Sequence, residues 1–401
     1  MRRLHANQAE AIANALNSIL MEKKRTARVL EKTVEQHRKW GARDRKLLYE
    51  ATFSILRWKR LYSHLSGIDE NQFSPWSWIK CWCILEEIPV PDWKEMDCPP
   101  LASKEELEKI QCANPAIATS FPDWLHKTLA SEINDNLEQT VDALNTQADI
   151  SIRANALLTT TDELQKNLQD KHQIATEKNK NYPHALLLSK GRKLNNNPIY
   201  RAGHFEIQDA NSQRIAPFCQ VKPHQRVIDL CAGAGGKTLH LAALMQNKGT
   251  IKAFDVEVHK LRELRHRIKR AQVSCVEPQR ICKTFTGEGL QDWADVVLID
   301  APCSGLGTVK RKPEIKWNLT SQQLSDWQTT QRKLLSLAQQ LLKNNGTLVY
   351  ATCSILPSEN EHQVEWFLQE YPNFLLETME TIPVHTTPFD GFFMARMKKK
   401  L

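Results

Sequence analysis

The stretch Asp229-Leu230-Cys231-Ala232-Gly233-Ala234-Gly235-Gly236-Lys237-Thr238 decides how this chain folds. It closes the apolar run Val227-Ile228, whose β-branched side chains suit a buried strand, and it opens a helix from Lys237 to about Gln246. Small residues between the two let backbone N–H groups come close to a ligand, and the helix N-terminus adds partial positive charge. The pattern is neither a full P-loop nor a regular G-x-G-x-x-G. Alone it marks a ligand-binding turn without naming the ligand.

Outward from this turn, strands and helices alternate. Thr250–Asp255 reads as the next strand and Val258–Ala271 as a basic helix. Val296-Val297-Leu298-Ile299-Asp300 is a third strand. Thr320 and Gln323 form a capping box for a long helix ending near Leu342, Gly346–Ala351 is a further strand, and Ser358 with Glu361 caps the helix after it. The alternation predicts an α/β domain with a doubly wound, mostly parallel sheet. Asp255 ends the second strand, where an acid commonly accepts hydrogen bonds from a ribose and also makes a good helix N-cap. Nicotinamide and adenosylmethionine cofactors both remain open at this point.

Two further motifs narrow the choice. Asp300-Ala301-Pro302-Cys303-Ser304-Gly305 follows one strand, and Tyr350-Ala351-Thr352-Cys353-Ser354 follows another. Open α/β sheets bind ligands at the carboxyl ends of their strands. A lone cysteine there is commonly a buried, inert thiol. Two of them at two strand ends, beside Asp300, predict a site. Carbon 5 of cytosine is a poor nucleophile, and a thiolate adding to carbon 6 turns it into an enamine-like carbon able to attack a methyl sulfonium. That thiolate needs nearby positive charge or dipoles. A neutral carboxylic acid near N3 assists the addition, and a base must later remove the C5 proton and eject the cysteine.

Asp229–Thr238, Asp300–Gly305 and Thr352-Cys353-Ser354 together resemble the RNA 5-methylcytosine methyltransferases, a family that includes the bacterial small-subunit rRNA enzyme and nucleolar relatives. Phe205-x-x-Gln208-Asp209-x-x-Ser212, Lys310-Arg311-Lys312-Pro313-Glu314-Ile315-Lys316-Trp317 and Asp390-Gly391-Phe392-Phe393-Met394-Ala395-Arg396 resemble that family too. The likeness runs from about Pro122 to the end and is densest across 200–397. It implies a Rossmann-like class I methyltransferase domain and S-adenosylmethionine as cofactor. It implies Cys353 as nucleophile, Cys303 as the residue that helps release product, and Asp300 in touch with cytosine and cofactor. Cys231, Ala232, Gly233, Ala234, Gly235, Gly236, Lys237, Asp255 and Asp300 would hold adenosylmethionine, and no metal is implied. Three departures stand out. The family's C-A-A-P-G-G-K loop reads Cys231-Ala232-Gly233-Ala234-Gly235-Gly236-Lys237 here, which loses a rigid proline and no N–H group. The segment 281–287 lacks the family's aspartate, so a Thr284 hydroxyl substitutes or adenine is held differently. Glu314 stands where aspartate is usual.

Upstream of 200 the texture differs. Residues 1–140 read as an all-helical basic domain, 141–200 as a small α+β RNA-recognition-like domain with linker, and 201–401 as the methyltransferase domain. Leu47, Leu48, Ala51, Ile55, Trp58 and Tyr62 form one helical stripe, decorated by Arg43, Arg45, Lys46, Arg57, Lys59 and Arg60. Asp44–Trp58 resembles an antitermination-factor-type helical domain, and Ser151-Ile152-Arg153-Ala154-Asn155 the start of the small domain. Pro89, Pro91, Pro99 and Pro100 break the region after the stripe. The stretch 176–198, with Lys178, Lys180, Lys190, Arg192, Lys193, Asn195, Asn196 and Asn197, reads as a linker, a mobile loop or an RNA-contacting segment.

Composition sets the outer limits. The 401 residues are 41% hydrophobic and 25% charged, which excludes disordered and collagen-like classes. The ten cysteines are scattered, without paired CxxC motifs of zinc spacing; Cys81 and Cys83 among Trp78, Trp82 and Ile84 read as core. A reducing, cytoplasmic setting is expected. No apolar run approaches a membrane span, and Met1-Arg2-Arg3-Leu4-His5 has no apolar segment behind it, so neither membrane nor secretion is expected. Residues 1–60 hold fifteen Lys/Arg against six Asp/Glu, a net of +9; the whole chain carries +8, which leaves −1 for the rest. That asymmetry points to a basic surface facing a polyanion, against the plainer reading of a solvated helical face. The expectation is a monomeric enzyme acting on structured RNA, with rRNA first and tRNA second. Phosphate contacts are expected from the N-terminus and from 310–316. The competing readings are a ribosome assembly factor without catalysis and a DNA cytosine methyltransferase using Cys303.

Overall fold

The computed structural model describes residues 3–96, 114–188, 194, 196–282 and 284–401. Pro99, Pro100, Lys190, Arg192, Lys193 and Asn195 therefore lie outside the described residues. The chain divides into two units, Met1–Thr146 with Val309–Ser321, and Gln147–Thr308 with Gln322–Leu401.

In the first unit every regular element among the described residues is helical, chiefly Ala6–Leu20, Thr26–Gln36, Ala42–Leu65, Pro75–Leu85, Asp123–Ile133 and Leu137–Leu144. The expected stripe points inward: Leu47, Leu48, Ala51, Ile55 and Tyr62 are buried, while Trp58 breaks helical geometry and is half-buried. Trp78, Cys81, Trp82 and Cys83 join the same core, but Ile84 points outward. The buried Trp78 indole donates to Ser63 Oγ at 2.8 Å, so its one polar atom is satisfied.

The segment 309–321, which the sequence places inside the catalytic domain, belongs to this helical unit. Its reason is Lys316. The side chain is fully buried, and its ammonium donates to the carbonyls of Arg57 and Ser120 and to Asn145 Oδ1, at 2.7, 2.8 and 3.0 Å. Trp317 Nε1 donates to the Leu56 carbonyl at 2.6 Å, and Thr26 N–H donates to Glu314 Oε1 at 3.3 Å. Burial, with the Arg57 charge adding to it, holds the Lys316 pKa well below the usual lysine range. The expectation that 310–316 meets phosphates is narrowed here: Lys310 is buried and Lys316 is an internal strut, while Arg311 is half-buried and Lys312 is exposed. Arg60 likewise turns inward to Phe121 O and Asp123, whereas Arg28, Lys32, Arg38, Lys39, Arg43 and Lys46 stay exposed.

The second unit contains two sheets. The smaller is antiparallel, in the order β2-β3-β1-β4, with β1 Ile150–Ala154, β2 Thr176–Asn179, β3 Tyr182–Leu188 and β4 Phe205–Ile207. The helix Thr161–His172 buries Leu164 and Leu168 in one cluster with Ile152, Leu186 and Phe205. Thr160 caps that helix reciprocally with Glu163. Residues 176–188, read as linker or loop, are thus a hairpin. Its first strand, Thr176-Glu177-Lys178-Asn179, holds no apolar residue, and in the second Tyr182, Ala185, Leu186 and Leu188 are buried without strict alternation, so no period-2 signal marks it.

The larger sheet runs β10-β11-β9-β8-β5-β6-β7. Its strands are β5 Arg226–Asp229, β6 Thr250–Asp255, β7 Val276–Arg280, β8 Ala294–Asp300, β9 Leu342–Thr352, β10 Phe374–Ile382 and β11 Phe392–Lys399. The pairs β5–β6, β6–β7, β5–β8 and β8–β9 are parallel, and β11 runs against both neighbours. Chain order reverses between β5 and β8, which opens a crevice beyond their carboxyl ends. The expected cap at Ser358 is displaced: Ser358 sits in a 3-10 turn, and the helix Glu361–Glu370 starts from Asn360. Among the described residues no helix is long and apolar enough to cross a membrane.

Candidate active site

Four strand ends deliver the chemistry. Asp229 closes β5, Asp255 closes β6, Asp300 closes β8, and Thr352 closes β9 one residue before Cys353. The turn after β5 ends at Gly235, whose φ of +87° suits glycine alone. A Cβ there would also lie 2.1 Å from Leu264 Cδ1, so the turn packs directly on the helix Val258–Arg270. The helix Gly236–Leu244 then begins, with its first intrahelical bond from Leu239 N–H to Gly235 O. The N–H groups of its opening turn precede the first intrahelical bond, and a helix N-terminus of this kind favours an anionic group.

Asp255 is buried, and both its oxygens hold backbone: Oδ2 accepts from Gly233 N–H and Oδ1 from Glu257 N–H, each at 2.8 Å. Each oxygen keeps a second lone pair for a ligand. Asp229 is buried deeper and accepts from Thr238 Oγ1 at 2.7 Å. Burial, against the Thr238 hydrogen bond and with the Asp300 charge adding to it, lifts its carboxyl to about 7.

Lys237, assigned by sequence to the loop alone, crosses to β8. Its ammonium donates to Asp300 Oδ2 at 2.6 Å and lies 5.6 Å from the Phe392 ring centre. Burial works against its charge, but Asp300, with contributions from Cys353 and Asp229, outweighs this and raises its pKa. Lys237 is thus a cation close enough to Cys353 for their charges to interact.

The two motif cysteines meet. Cys303 Sγ and Cys353 Sγ are 3.5 Å apart. The approach depends on Gly307, where a Cβ would stand 2.4 Å from Gly391 O and 2.8 Å from Cys353 O. Gly307 N–H donates to Cys353 O, and Gly391 N–H to Gly307 O, both at 2.9 Å. The Cys303 thiol is pushed well up, first by its hydrogen bond with Cys353, then by burial and by the charges of Cys353 and Glu359. The Cys231 thiol is pushed well up by burial, with Asp229, Asp300 and Asp255 adding to it, which makes it an unreactive wall of the loop.

Sequence reasoning missed the groups behind this constellation. Arg267 donates to the Ala234 carbonyl at 2.7 Å and is salt-bridged to the buried Glu206 of β4. Arg153 of β1, also buried, donates to Gln208 Oε1 at 2.7 Å and toward Gly236 O at 3.4 Å. Glu359 lies buried beneath both cysteine loops. The basic helix Val258–Ala271 signalled Arg267, and the motifs at 151–155 and 205–212 contained Arg153 and Gln208; Glu206 and Glu359 gave no signal. Among the described residues no group of His, Cys, Asp and Glu is placed to hold a metal ion.

A seven-stranded sheet with one reversed strand, a Gly-rich turn after its first strand and an acid closing the next define an S-adenosylmethionine-dependent methyltransferase. Comparison with known proteins agrees. Residues 217–398 match the family model "16S rRNA methyltransferase RsmB/F", and 121–195 match its ferredoxin-like domain. The probable ribosomal RNA small subunit methyltransferase B of Synechocystis is 31% identical over 305 residues, covering 70% of this chain and 67% of that protein. The ribosomal RNA small subunit methyltransferase B of Serratia proteamaculans is 30% identical, covering 74% and 70%. The solved structure of PH0851 is similar in fold, with TM-score 0.81 at 24% identity over 99% of this chain and 100% of that one. A methyltransferase homologue from Pyrococcus horikoshii gives 0.63 at 26%, over 74% and 100%. This chain belongs to the RsmB/F family of S-adenosylmethionine-dependent RNA methyltransferases.

Proposed function

We propose that this protein methylates carbon 5 of a cytosine in structured RNA, with small-subunit rRNA the first candidate and tRNA the second. The observation that carries the reading is the 3.5 Å contact between Cys303 and Cys353, together with the Lys237–Asp300 ion pair at the neighbouring strand ends. The small-subunit rRNA named for the Synechocystis and Serratia relatives supports the substrate class. The turn 231–237 and Asp255 fit adenosylmethionine: a buried carboxylate with spare lone pairs suits ribose hydroxyls, and the helix N-terminus suits the amino-acid carboxylate.

When bound, that cofactor supplies a methyl group on a positively charged sulfur. The chain supplies the rest. Lys237 favours the thiolate form of Cys353, which adds to carbon 6 of a cytosine drawn out of its stack. Asp300 faces the ring from the end of β8 and orients it. Carbon 5, now enamine-like, takes the methyl. Cys303 then finds its surroundings changed. Its first and third sources of raised pKa, the hydrogen bond and the charge of Cys353, vanish once Cys353 is bonded to carbon. It can then lose its own proton to water, and as a thiolate it accepts the C5 proton, directly or through a second water. As that C–H bond breaks, its electrons re-form the C5–C6 double bond and expel Cys353 as thiolate.

The test treats unmodified rRNA with the protein and methyl-labelled adenosylmethionine, followed by bisulfite sequencing. A new protected cytosine that matches label incorporation is expected. Label found away from carbon 5 of cytosine overturns the proposal.

A further inference from the structure

We infer that Glu359 is a positioning residue for methyl transfer: it ties the Cys303 loop to the Cys353 loop and so sets the distance between the two thiols. The inference rests on the roles just proposed for those cysteines. The Glu359 side chain is completely buried. Its Oε1 accepts from Ser304 N–H at 2.9 Å and from Gln331 Nε2 at 3.1 Å. Its Oε2 accepts from Ser304 Oγ and Ser354 Oγ, both at 2.5 Å. Ser304 directly follows Cys303, and Ser354 directly follows Cys353. One carboxylate thus grips the residue after each thiol, and the two serine hydroxyls sit 3.2 Å apart above it.

A carboxylate suits this place because it is acceptor-only. Four donors converge on two oxygens, which is full use of its lone pairs. Neighbouring contacts stiffen the arrangement. Tyr350 Oη donates to the Glu359 carbonyl at 2.6 Å, which fixes the backbone of the turn. Asn360 accepts from Thr352 Oγ1 at 2.5 Å and donates to Ser354 O at 3.3 Å, but it holds the Cys353 loop alone. Gln331 also donates to Pro302 O at 3.0 Å and so holds the Cys303 loop from the other side. Among these residues Glu359 is the one whose side chain bonds both loops. Its charge also adds, after the Cys353 hydrogen bond, burial and the Cys353 charge, to the raised pKa of Cys303.

Replacing the carboxylate by an amide keeps its size and changes its bonding. Whichever way Glu359→Gln turns, an NH₂ group meets two donors, so at least two of the four bonds are lost or must reverse. The loops should then separate by a fraction of an ångström. A misplacement approaching 1 Å costs up to about 100-fold in rate, so kcat should fall about 10- to 100-fold. Binding of adenosylmethionine by calorimetry and KM for RNA should change less than about threefold, because neither needs the thiols in register.

A second readout needs neither RNA nor cofactor. Diamide takes two electrons and two protons from adjacent thiols and leaves a disulfide. Wild type should form the Cys303–Cys353 disulfide rapidly, scored by peptide mass after alkylation, and Glu359→Gln about tenfold or more slowly. If Glu359→Gln does not fold, Ser354→Ala removes one hydroxyl of the clamp and should slow the coupling in the same direction. Equal coupling rates in a folded variant and wild type, or no coupling in either, overturns the inference. A wild type that couples its thiols yet methylates no cytosine defeats the catalytic reading and leaves the clamp to be judged by the diamide rates.

Discussion

Cys303 and Cys353 stand fifty residues apart in the chain and 3.5 Å apart at sulfur. They follow strands β8 and β9, which are parallel neighbours, so the sheet register brings two strand ends and two thiols to one level. Their division of labour is the first expectation. Cys353→Ala should abolish methyl transfer while adenosylmethionine binding stays near wild type. Cys303→Ala should keep the nucleophile and lose the proton acceptor, so a covalent RNA adduct accumulates. A denaturing gel reads both; turnover by Cys353→Ala, or no slow-migrating band with Cys303→Ala, counts against the assignment.

Asp255 carries the cofactor expectation. The carboxylate anchors the Gly233 and Glu257 N–H groups, and in the proposed reading its remaining lone pairs accept from a ribose. A buried charge-assisted hydrogen bond is worth about 1.5–3 kcal/mol, so Asp255→Ala should weaken adenosylmethionine binding roughly ten- to a hundredfold. Calorimetry giving an unchanged Kd rejects the role.

Asp229 carries a pH expectation. Its folded carboxyl is raised to about 7, against about 3.9 for an unfolded aspartate. The folded chain therefore holds a proton that the unfolded chain releases. The stability this contributes is complete below about pH 4 and is lost as pH rises through about 7. Asp229→Asn, which can still accept from Thr238, escapes that loss. Its Tm without cofactor should gain on wild type between pH 5 and pH 8. A Tm difference that stays constant across that range refutes the shift.

The exposed cations of the helical unit carry the RNA expectation. Deleting residues 1–140 is a poor test, because it strips the buried Lys316 of the Arg57 and Ser120 carbonyls. The triple change Arg28→Ala, Lys32→Ala and Arg43→Ala leaves that strut intact. If these side chains neutralise phosphates, the slope of log affinity against log salt should flatten by about 1 for each phosphate no longer neutralised. Adenosylmethionine affinity should not move. Identical salt slopes for the triple variant and wild type would show those charges idle in water.

Much of the second unit was legible along the chain because its signals are local. A β-branched run, a glycine turn and a following amphipathic segment each occupy fewer than about ten residues, and their alternation implies a parallel sheet. The strand-end acids and cysteines could be read for the same reason, since a strand end is visible wherever an apolar run stops. The hairpin 176–188 escaped notice because its first strand is wholly polar and its second, largely apolar, does not alternate. The strut Lys316 escaped because a lysine's charge announces solvent, and only three converging acceptors reverse that.

By itself, the sequence determined the α/β class, the turn 231–237 and the acids and thiols at four strand ends, since backbone propensity and side-chain periodicity act over short spans. The tertiary structure alone decided which of those groups touch. Lys237 meets Asp300 across 63 positions and Ser304 meets Glu359 across 55. Such pairings follow from sheet register and from the demand that every buried charge find a partner, and both are properties of the packed chain.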